Sequence, residues 1–464
     1  MCGIFGIIHQ GDRPVDTAVI LRMAKTLAHR GPDHTSFIAD KNVCIGHTRL
    51  KIIDLSDSAN QPLSNEDGSV VITYNGEIYN YQELGKELES LGHRFRSKSD
   101  TEVVLHSYEE WRENCLSRFI GMWAFCIWDK KRNVFFLTRD RLGVKPLYYY
   151  RDNRTFIFAS EIKGILQEDS IKRTLDHQAL YEYAHLGFTL DYKSWFAGIK
   201  QIPPGNFLRL AGKKEELRPY WNINVKPDYT IDEKQAAEKI RLLLEDSIRL
   251  RLRSDVEIGA HLSGWIDSST IVAIVSKSFG RPIHAFSGAF QESEKFDERP
   301  FIRQMTALYP SINYSETLIN RENFLETLEK IIWFLDEPIA GPGVYPQFFV
   351  SKLISKSSIK VVLGGQGGDE LFGGYPHYYA GLIGSGLAFF KQTGRFFHPR
   401  WKELIVPALT HSGRTFLSRL LNIQKRGNDS FFTSNFLKHT DYSPIERAIR
   451  ASSISSESMM EFDL

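Results

Sequence analysis

Apolar and polar positions alternate differently in the two halves of the chain. Through roughly the first 200 residues, short apolar runs are separated by turn residues, the pattern of strands. Val70-Val71-Ile72-Thr73-Tyr74 is one such run, and it ends at Asn75-Gly76, a dipeptide favoured in tight turns. Residues 122–128 and 134–138 flank the polar Asp129-Lys130-Lys131-Arg132-Asn133 and predict a hairpin. Residues 148–150 and 155–158 predict a second one. Helical spacing occurs near 18–28 and 81–91. These elements predict an α+β layer arrangement with antiparallel sheets.

The pattern changes after Ile202-Pro203-Pro204-Gly205 and the polar stretch 222–232, which mark a boundary. Ala236, Ile240, Leu243, Leu244 and Ile248 then share one helical face. An apolar run at 256–262 follows, then a Gly/Ser turn and a helix at 270–276. A second strand–turn–helix unit runs from Ile359-Lys360-Val361-Val362-Leu363 into Gly364-Gly365-Gln366-Gly367-Gly368. Strands alternating with helices predict a parallel α/β sheet. The expected domains are 2–205 and 232–464, with no internal repeats.

Length and composition agree with this division. At 464 residues, a prior of about 150 residues per domain allows two or three domains. Apolar residues make up 42% and charged residues 25%, the soluble norm. A net charge of +2 gives no global reason to expect nucleic acid or an anionic membrane as partner. The segment 391–450 holds eleven Lys/Arg against four Asp/Glu. Solvated helix faces are the commoner origin of such a bias, and no regularly spaced aromatics suggest RNA stacking. Four cysteines (Cys2, Cys44, Cys115, Cys126), all in the first third, are too few to staple a chain this long. A reduced, cytoplasmic setting is therefore expected. The N-terminus lacks a basic n-region, so no signal peptide is expected. The apolar stretch 381–390 falls short of the roughly 20 residues that cross a bilayer.

Candidate chemistry begins at Cys2, directly behind the initiator Met1. Removal of Met1 would leave Cys2 with a thiol and a free α-amine titrating near pH 8, able to act as a base for its own side chain. The Asn75 amide and the Gly76 N–H offer a pair of oxyanion donors. Arg49 can pair with a substrate carboxylate, and Asp100 can receive an α-ammonium. Each residue also has a plainer reading: a small buried strand residue, a turn, a solvated cation and a helix N-cap.

Taken together, these residues fall within an ordered set of motifs. Met1-Cys2-Gly3-Ile4-Phe5-Gly6, His29-Arg30-Gly31-Pro32-Asp33 and Gly46-His47-Thr48-Arg49-Leu50 come first. Tyr74-Asn75-Gly76-Glu77-Ile78-Tyr79-Asn80, Ser99-Asp100-Thr101-Glu102, the run from Arg139 to Tyr149 and Phe158-Ala159-Ser160-Glu161-Ile162-Lys163 follow. This series closely resembles the class II glutamine amidotransferases, in particular the glutaminase domain of the glutamine-hydrolysing asparagine synthetase family. The resemblance implies an N-terminal-nucleophile (Ntn) fold in which Cys2 attacks the glutamine side-chain amide, releasing ammonia and leaving a thioester. It further implies that Asn75 and Gly76 form the oxyanion hole. Arg49, the backbone of Leu50, Lys51, Ile52 and Ile53, Glu77 and Asp100 would hold the glutamine.

Leu262-Ser263-Gly264-Trp265-Ile266-Asp267-Ser268-Ser269 follows a buried strand and opens a helix. Small residues at such a turn let backbone N–H groups approach phosphate, although ordinary strand–helix loops look similar. With Asp336-Glu337-Pro338 and the run from Gly364 to Tyr375, it resembles the pyrophosphate-loop ATP domain of the same family, an α/β parallel sheet of the adenine nucleotide alpha hydrolase kind. That resemblance implies that ATP adenylates the aspartate side chain and that ammonia displaces AMP. It assigns ATP contacts to Leu262, Ser263, Gly264, Asp267, Ser268, Ser269, Gly288, Gly364 and Gly365, and formation of the intermediate to Gln366 and Asp369. Asp267 and Asp369 are natural Mg²⁺ positions, or else helix caps.

The second motif set departs from the family pattern in four places. Trp265 replaces the second loop glycine and is expected to obstruct phosphate or to force the loop out of a glycine-only conformation; an indole pointing away is the other outcome. Gln366 stands where glutamate is usual and lacks its charge. Phe286-Ser287-Gly288-Ala289-Phe290 replaces Phe-Ser-Val-Gly-Phe. Family chains continue past the position of Leu464, so C-terminal truncation is expected. The expected substrates are glutamine, aspartate and ATP, with no nucleic-acid or membrane partner and a homodimer left open. The alternatives are another carboxylate acceptor, or a synthetase-impaired chain that keeps glutaminase or binding function.

Overall fold

The structure is a computed structural model and describes residues 1–375 and 378, apart from 227, 229, 291–296, 321 and 340. The stretches 381–390 and 391–450 discussed above lie outside the described residues. The chain separates into two compact units. One comprises Met1–Asp176, Asp191–Gly264 and Val272–Leu363; the other comprises His177–Leu190, Trp265–Ile271 and the chain from Gly364 onward.

Short apolar segments at the start of the chain form β1 (Gly3–His9), β2 (His34–Asp40), β3 (Val43–Arg49), β4 (Leu63–Ser64) and β5 (Val70–Ile78). After these come β6 (Gly121–Asp129), β7 (Val134–Arg139), β8 (Tyr148–Arg151) and β9 (Thr155–Ala159). The last three are β10 (Ile199–Gln201), β11 (Asn206–Ala211) and β12 (Lys214–Pro219). They assemble into two six-stranded antiparallel sheets, ordered β10-β8-β9-β1-β3-β2 and β12-β11-β7-β6-β5-β4. Both predicted hairpins are present, as β6–β7 and β8–β9. Strands β11 and β12 add to β7, so the second sheet runs on to Pro219.

Alternating side chains sort the strands into layers. Ile4, Val43 and Ile45 of the first sheet share a core with Val71, Cys126 and Leu137 of the second. On the outer face of the first sheet, Phe5 and Ile7 pack against Val19, Ile20, Met23 and Leu27 of α1 (Thr17–Leu27). On the outer face of the second, Ile72, Phe125 and Ile127 pack against α2 (Tyr81–Ser90) and α3 (Asp100–Trp111). The result is an αββα sandwich. Helix α3 escapes the periodicity reading because its residues from Asp100 to Tyr108 are all buried, leaving no polar face to set a 3.6-residue rhythm.

The expected turn at Asn75-Gly76 is not formed. Strand β5 runs through both residues to Ile78, pairing Asn75 with Ala124 and Gly76 with Trp123. A Cβ on Gly76 would stand 2.5 Å from the Met122 carbonyl oxygen and 2.9 Å from Trp123 Cα. The glycine therefore serves close strand approach rather than chain reversal.

Short helices α4 (Cys115–Arg118) and α5 (Ile162–Ile165) complete this half, followed by α6 (His177–Leu186). The second half begins with α7 (Glu233–Arg251), started by an Asp232–Gln235 capping box. Its strands β13 (Ile258–His261), β14 (Ile283–Phe290), β15 (Ile312–Ile319) and β16 (Val361–Leu363) form a sheet ordered β15-β14-β13-β16, parallel throughout. The helices of this half are α8 (Ile266–Ala273), α9 (Arg299–Leu308), α10 (Phe324–Leu335), α11 (Val344–Ile354) and α12 (Gly368–Phe372). The predicted apolar face of α7 is buried only toward its end. Ile248 is covered, but Leu243 is 70% exposed. Among the described residues no helix is long and apolar enough to cross a membrane.

Gly31 anchors the turn that carries Arg30. A Cβ there would lie 2.2 Å from the Thr48 carbonyl oxygen, a backbone atom that cannot step aside. Gly31→Ala is expected to lower the unfolding free energy by about 1–3 kcal/mol, read as a lower urea midpoint at unchanged slope.

Candidate active site around Cys2

Cys2 directly precedes β1, whose first residue Gly3 donates its N–H to Thr48 Oγ1 at 3.1 Å. The Cys2 thiol lies 3.4 Å from the Leu50 N–H nitrogen and 3.7 Å from the Leu50 carbonyl. Its carbonyl accepts from Arg30 Nε at 2.9 Å. The other three cysteines are buried, and burial pushes the Cys44 thiol up to about 12 and those of Cys115 and Cys126 higher still. They stay protonated and inert. Cys2, half-buried, is the thiol that faces a pocket.

That pocket holds about 270 Å³ and brings together Cys2, Arg49, Leu50, Ile52, Ile53, Asn75, Gly76, Glu77 and Asp100. Lys51 is not among its walls. Its backbone N–H donates to Asp33 at 2.8 Å and its ammonium pairs with Asp57 at 3.0 Å. The strand pairing that overrode the expected turn delivers Asn75 here. Its side-chain Nδ2 is buried and has no hydrogen-bond partner. A buried donor left open in this way costs stability unless something in the site accepts from it.

Charge is distributed unevenly along the pocket. Arg49 is 3% exposed and donates to the Ser56 carbonyl at 2.8 Å, Asn60 Oδ1 at 2.7 Å, and the carbonyls of Ile53 and Asp54. All four acceptors are neutral, so no carboxylate touches the guanidinium. Burial pulls its pKa below the usual value. Elsewhere in the pocket, Asp100 accepts from Tyr74 Oη at 2.8 Å and from Ile78 N–H at 3.0 Å. Burial nevertheless raises its pKa. Burial, then the Asp100 charge, raises Glu77 to about 7, opposed by Lys145. Lys145 is itself shifted down by burial.

Several pocket residues were not anticipated. Gln61 accepts from Tyr74 N–H at 2.7 Å and donates to Thr101 Oγ1 at 3.1 Å, tying β5 to α3 behind the site. It lies in irregular chain with no local signal. Lys145 sits within the run from Arg139 to Tyr149, where its charge inside an apolar context was a usable clue. Val361 and Val362 of β16 and the preceding Lys360 lie more than 350 residues from Cys2, and only tertiary closure brings them in. Lys360 pairs with Asp33 at 2.7 Å.

The expected nucleotide residues can be placed one by one. Leu262 is fully buried and donates to the Phe286 carbonyl at 2.9 Å. Ser263 is half-buried, and Gly264 takes φ +81°. Trp265 does not adopt the left-handed conformation, and its residue is 68% exposed. In α8, Ser268 donates to the Trp265 carbonyl at 3.3 Å, and Ser269 Oγ is buried without a partner. A Cβ on Gly365 would lie 2.8 Å from Asp267 Cβ, and one on Gly368 within 2.7 Å of the Asp267 carboxylate. Burial, then the charges of Asp369 and Glu370, raises the Asp267 pKa. Asp267 and Asp369 offer hard oxygen donors of the type that Mg²⁺ takes. A Cβ on Gly288 would meet Ile319 at 2.6 Å and Val350 at 3.2 Å, so packing accounts for that glycine. Gly364 and Gln366 are exposed.

A cysteine heading the first strand of an αββα sandwich, beside a pocket with an open amide donor, defines an N-terminal-nucleophile amidotransferase fold. Comparison with known proteins agrees: the glutamine amidotransferase domain model matches residues 1–221 and the asparagine synthase model matches 239–464. A Methanocaldococcus jannaschii protein named "Putative asparagine synthetase (glutamine-hydrolyzing) 2" is 38% identical over 419 residues, covering 85% of this chain and 79% of that one. "Asparagine synthetase (glutamine-hydrolyzing) 1" of Bacillus subtilis is 38% identical over 383 residues, covering 82% of this chain and 59% of that one. A Gibberella zeae protein named "Amidase chry2" is 30% identical over 413 residues, covering 82% and 60% respectively. The chain belongs to the glutamine-hydrolysing asparagine synthetase family. It spans 59% to 79% of the length of these relatives.

The raised pKa of Glu77 has a consequence for stability. An unfolded Glu ionises near 4.5 and the folded one near 7, so protonated Glu77 favours the fold, and that contribution is lost as pH rises from about 4.5 through about 7. Glu77→Gln removes this dependence. Relative to the variant, the native chain is expected to lose on the order of 3 kcal/mol across that window, measured by urea unfolding at a series of pH values.

Proposed function

We propose that this chain hydrolyses glutamine at Cys2 and uses the ammonia, with ATP, to convert aspartate to asparagine. The observation that carries the first half is the buried, unpartnered Asn75 amide in the pocket of Cys2. In the proposed step the Cys2 thiolate adds to the side-chain carbonyl carbon of glutamine. The resulting oxyanion takes hydrogen bonds from Asn75 Nδ2 and Gly76 N–H. With Met1 removed, the Cys2 α-amine passes the thiol proton to the departing nitrogen, the C–N bond breaks, and ammonia leaves. Water hydrolyses the thioester to glutamate and restores the thiol. Arg49 would pair with the substrate α-carboxylate, and Glu77 and Asp100 with its α-ammonium.

The second half rests on family membership and on the carboxylates of Asp267 and Asp369. Aspartate attacks the α-phosphorus of ATP, giving β-aspartyl-AMP and pyrophosphate, and ammonia displaces AMP. Asp267 and Asp369 would hold Mg²⁺, which neutralises phosphate charge. Strand β16 supplies Val361 and Val362 to the Cys2 pocket, and the chain then leads directly into Gly364–Gly368. A second acceptor carboxylate is the alternative reading. It is favoured by Gln366, which brings no negative charge to the loop, and by the likeness to a relative named as an amidase.

Purified protein given glutamine, then glutamine with aspartate and Mg-ATP, separates these readings. Asparagine and AMP in equal amounts support the aspartate reading, whereas glutamate without AMP overturns it and directs the search to other carboxylates. Cys2→Ala is expected to abolish glutamate release. Asn75→Ala is expected to lower kcat about 10²- to 10³-fold with KM for glutamine little changed, measured by steady-state glutaminase assay.

A further inference from the structure

Helix α3 carries a second cluster, about two turns beyond Asp100, that the proposed reaction does not use. His106 and Glu109 lie one turn apart on this helix. His93 is brought against them by the end of α2, where Gly92 takes φ +100° and His93 N–H closes onto the Leu88 carbonyl at 3.0 Å. The two imidazole centroids are 4.9 Å apart. Ligand atoms of His93, His106 and Glu109 all lie within 4.8 Å of one another. Asn65 Nδ2 holds one Glu109 oxygen at 2.6 Å and leaves the other 2.7 Å from His106 Nδ1.

Two features point to a cation here. His106 is 1% exposed, and its Nε2 is buried without a hydrogen-bond partner, with the Glu102 and Glu66 oxygens standing off at 3.8 and 3.9 Å. Glu66, Glu102, Glu109 and Glu110 also surround these two rings, while the fixed cation paired with any of them is Arg96, at 3.9 Å from Glu102. The cluster thus carries more negative charge than its own cations balance.

We propose that His93, His106 and Glu109 form a binding site for a divalent transition metal of the Zn²⁺ class. Two imidazoles and one carboxylate are a three-ligand set suited to tetrahedral zinc, with water in the fourth position. Imidazole donors select against Mg²⁺ and Ca²⁺, so this site differs in kind from the oxygen-only set at Asp267 and Asp369. Asn65 orients Glu109 as an outer-shell partner. The metal's structural effect is to clamp the end of α2 to the helix whose first turn presents Asp100 to the Cys2 pocket.

The test uses the full chain, stripped with chelator and titrated with Co²⁺ in excess Mg²⁺ while visible ligand-field bands and bound metal are measured. One Co²⁺ per chain is expected, together with a rise in melting midpoint when Zn²⁺ is added. His93→Ala and Glu109→Gln are each expected to weaken Co²⁺ binding by about tenfold or more and to remove the Zn²⁺ effect on melting. Glu109 keeps its shape in the second variant, which carries the test should His93→Ala fail to fold by circular dichroism. Absence of Co²⁺ uptake, or uptake of unchanged affinity in the folded variants, overturns the proposal.

Discussion

The buried ion pair between Arg30 and Glu161 fixes the place where the chain begins its chemistry. Arg30 ends the turn after α1 and Glu161 precedes α5. Their charged atoms meet at 2.7 Å, with each side chain only 7% exposed. Removing two charges from water costs several kcal/mol for each, so such a pair persists only when its remaining atoms are also satisfied. Here they are. Arg30 Nε donates to the Cys2 carbonyl, Lys163 reaches the second Glu161 oxygen at 2.6 Å, and His29 approaches the first at 3.1 Å. Against the opposing effect of burial, these neighbours hold Glu161 down at about 2. The thiol is thus positioned by a charge pair whose carboxylate stays ionised throughout the physiological range.

The same network extends into the second half. Lys163 also pairs with Asp336 at 3.0 Å, and Asp336 accepts from the Ile162 N–H at 2.6 Å. Its neighbour Glu337 accepts from the Trp195 N–H at 2.6 Å. The Asp336-Glu337-Pro338 motif, first noted for its place near the nucleotide sequences, therefore spends its two carboxylates on the amidotransferase half. This satisfied network contrasts with the pocket itself, where the Asn75 amide has no acceptor and the Arg49 guanidinium touches only neutral oxygens. Both are donors, suited to a carboxylate and to an oxygen that develops negative charge.

Legibility in the sequence followed the range of the forces involved. The β6–β7 and β8–β9 hairpins and helices α1 and α2 were readable because each has one wet and one dry face. Helix α3 was not, since burial on all sides erases the period. Asn75-Gly76 was read as a turn from its local preference, yet the contact between Gly76 and the backbone of Met122 and Trp123 kept it in strand. Arg49, Asn75, Glu77 and Asp100 were singled out through the resemblance to the family's motifs, and the structure brings them to one pocket. Their electrostatics were not legible, because the shift at Glu77 arises from burial and from Asp100 across a tertiary contact. Lys360 and the β16 valines reach the pocket only through long-range closure that no local pattern encodes.

Geometry and chemistry separate most clearly in the loop from Gly364 to Gly368. The backbone demands on this loop fall on Gly365 and Gly368, which have no room for a Cβ beside Asp267, and on Gly367, which takes φ +95°. Gln366 stands between them, exposed, at a position that makes no steric demand. The departure from the family pattern therefore removes a charge at an exposed position of the loop. Trp265 is similar: the left-handed conformation falls on Gly264, and the indole-bearing residue is exposed. Both departures stand at exposed positions, while the close contacts with Asp267 fall on Gly365 and Gly368, so what they change is charge and bulk at the loop surface.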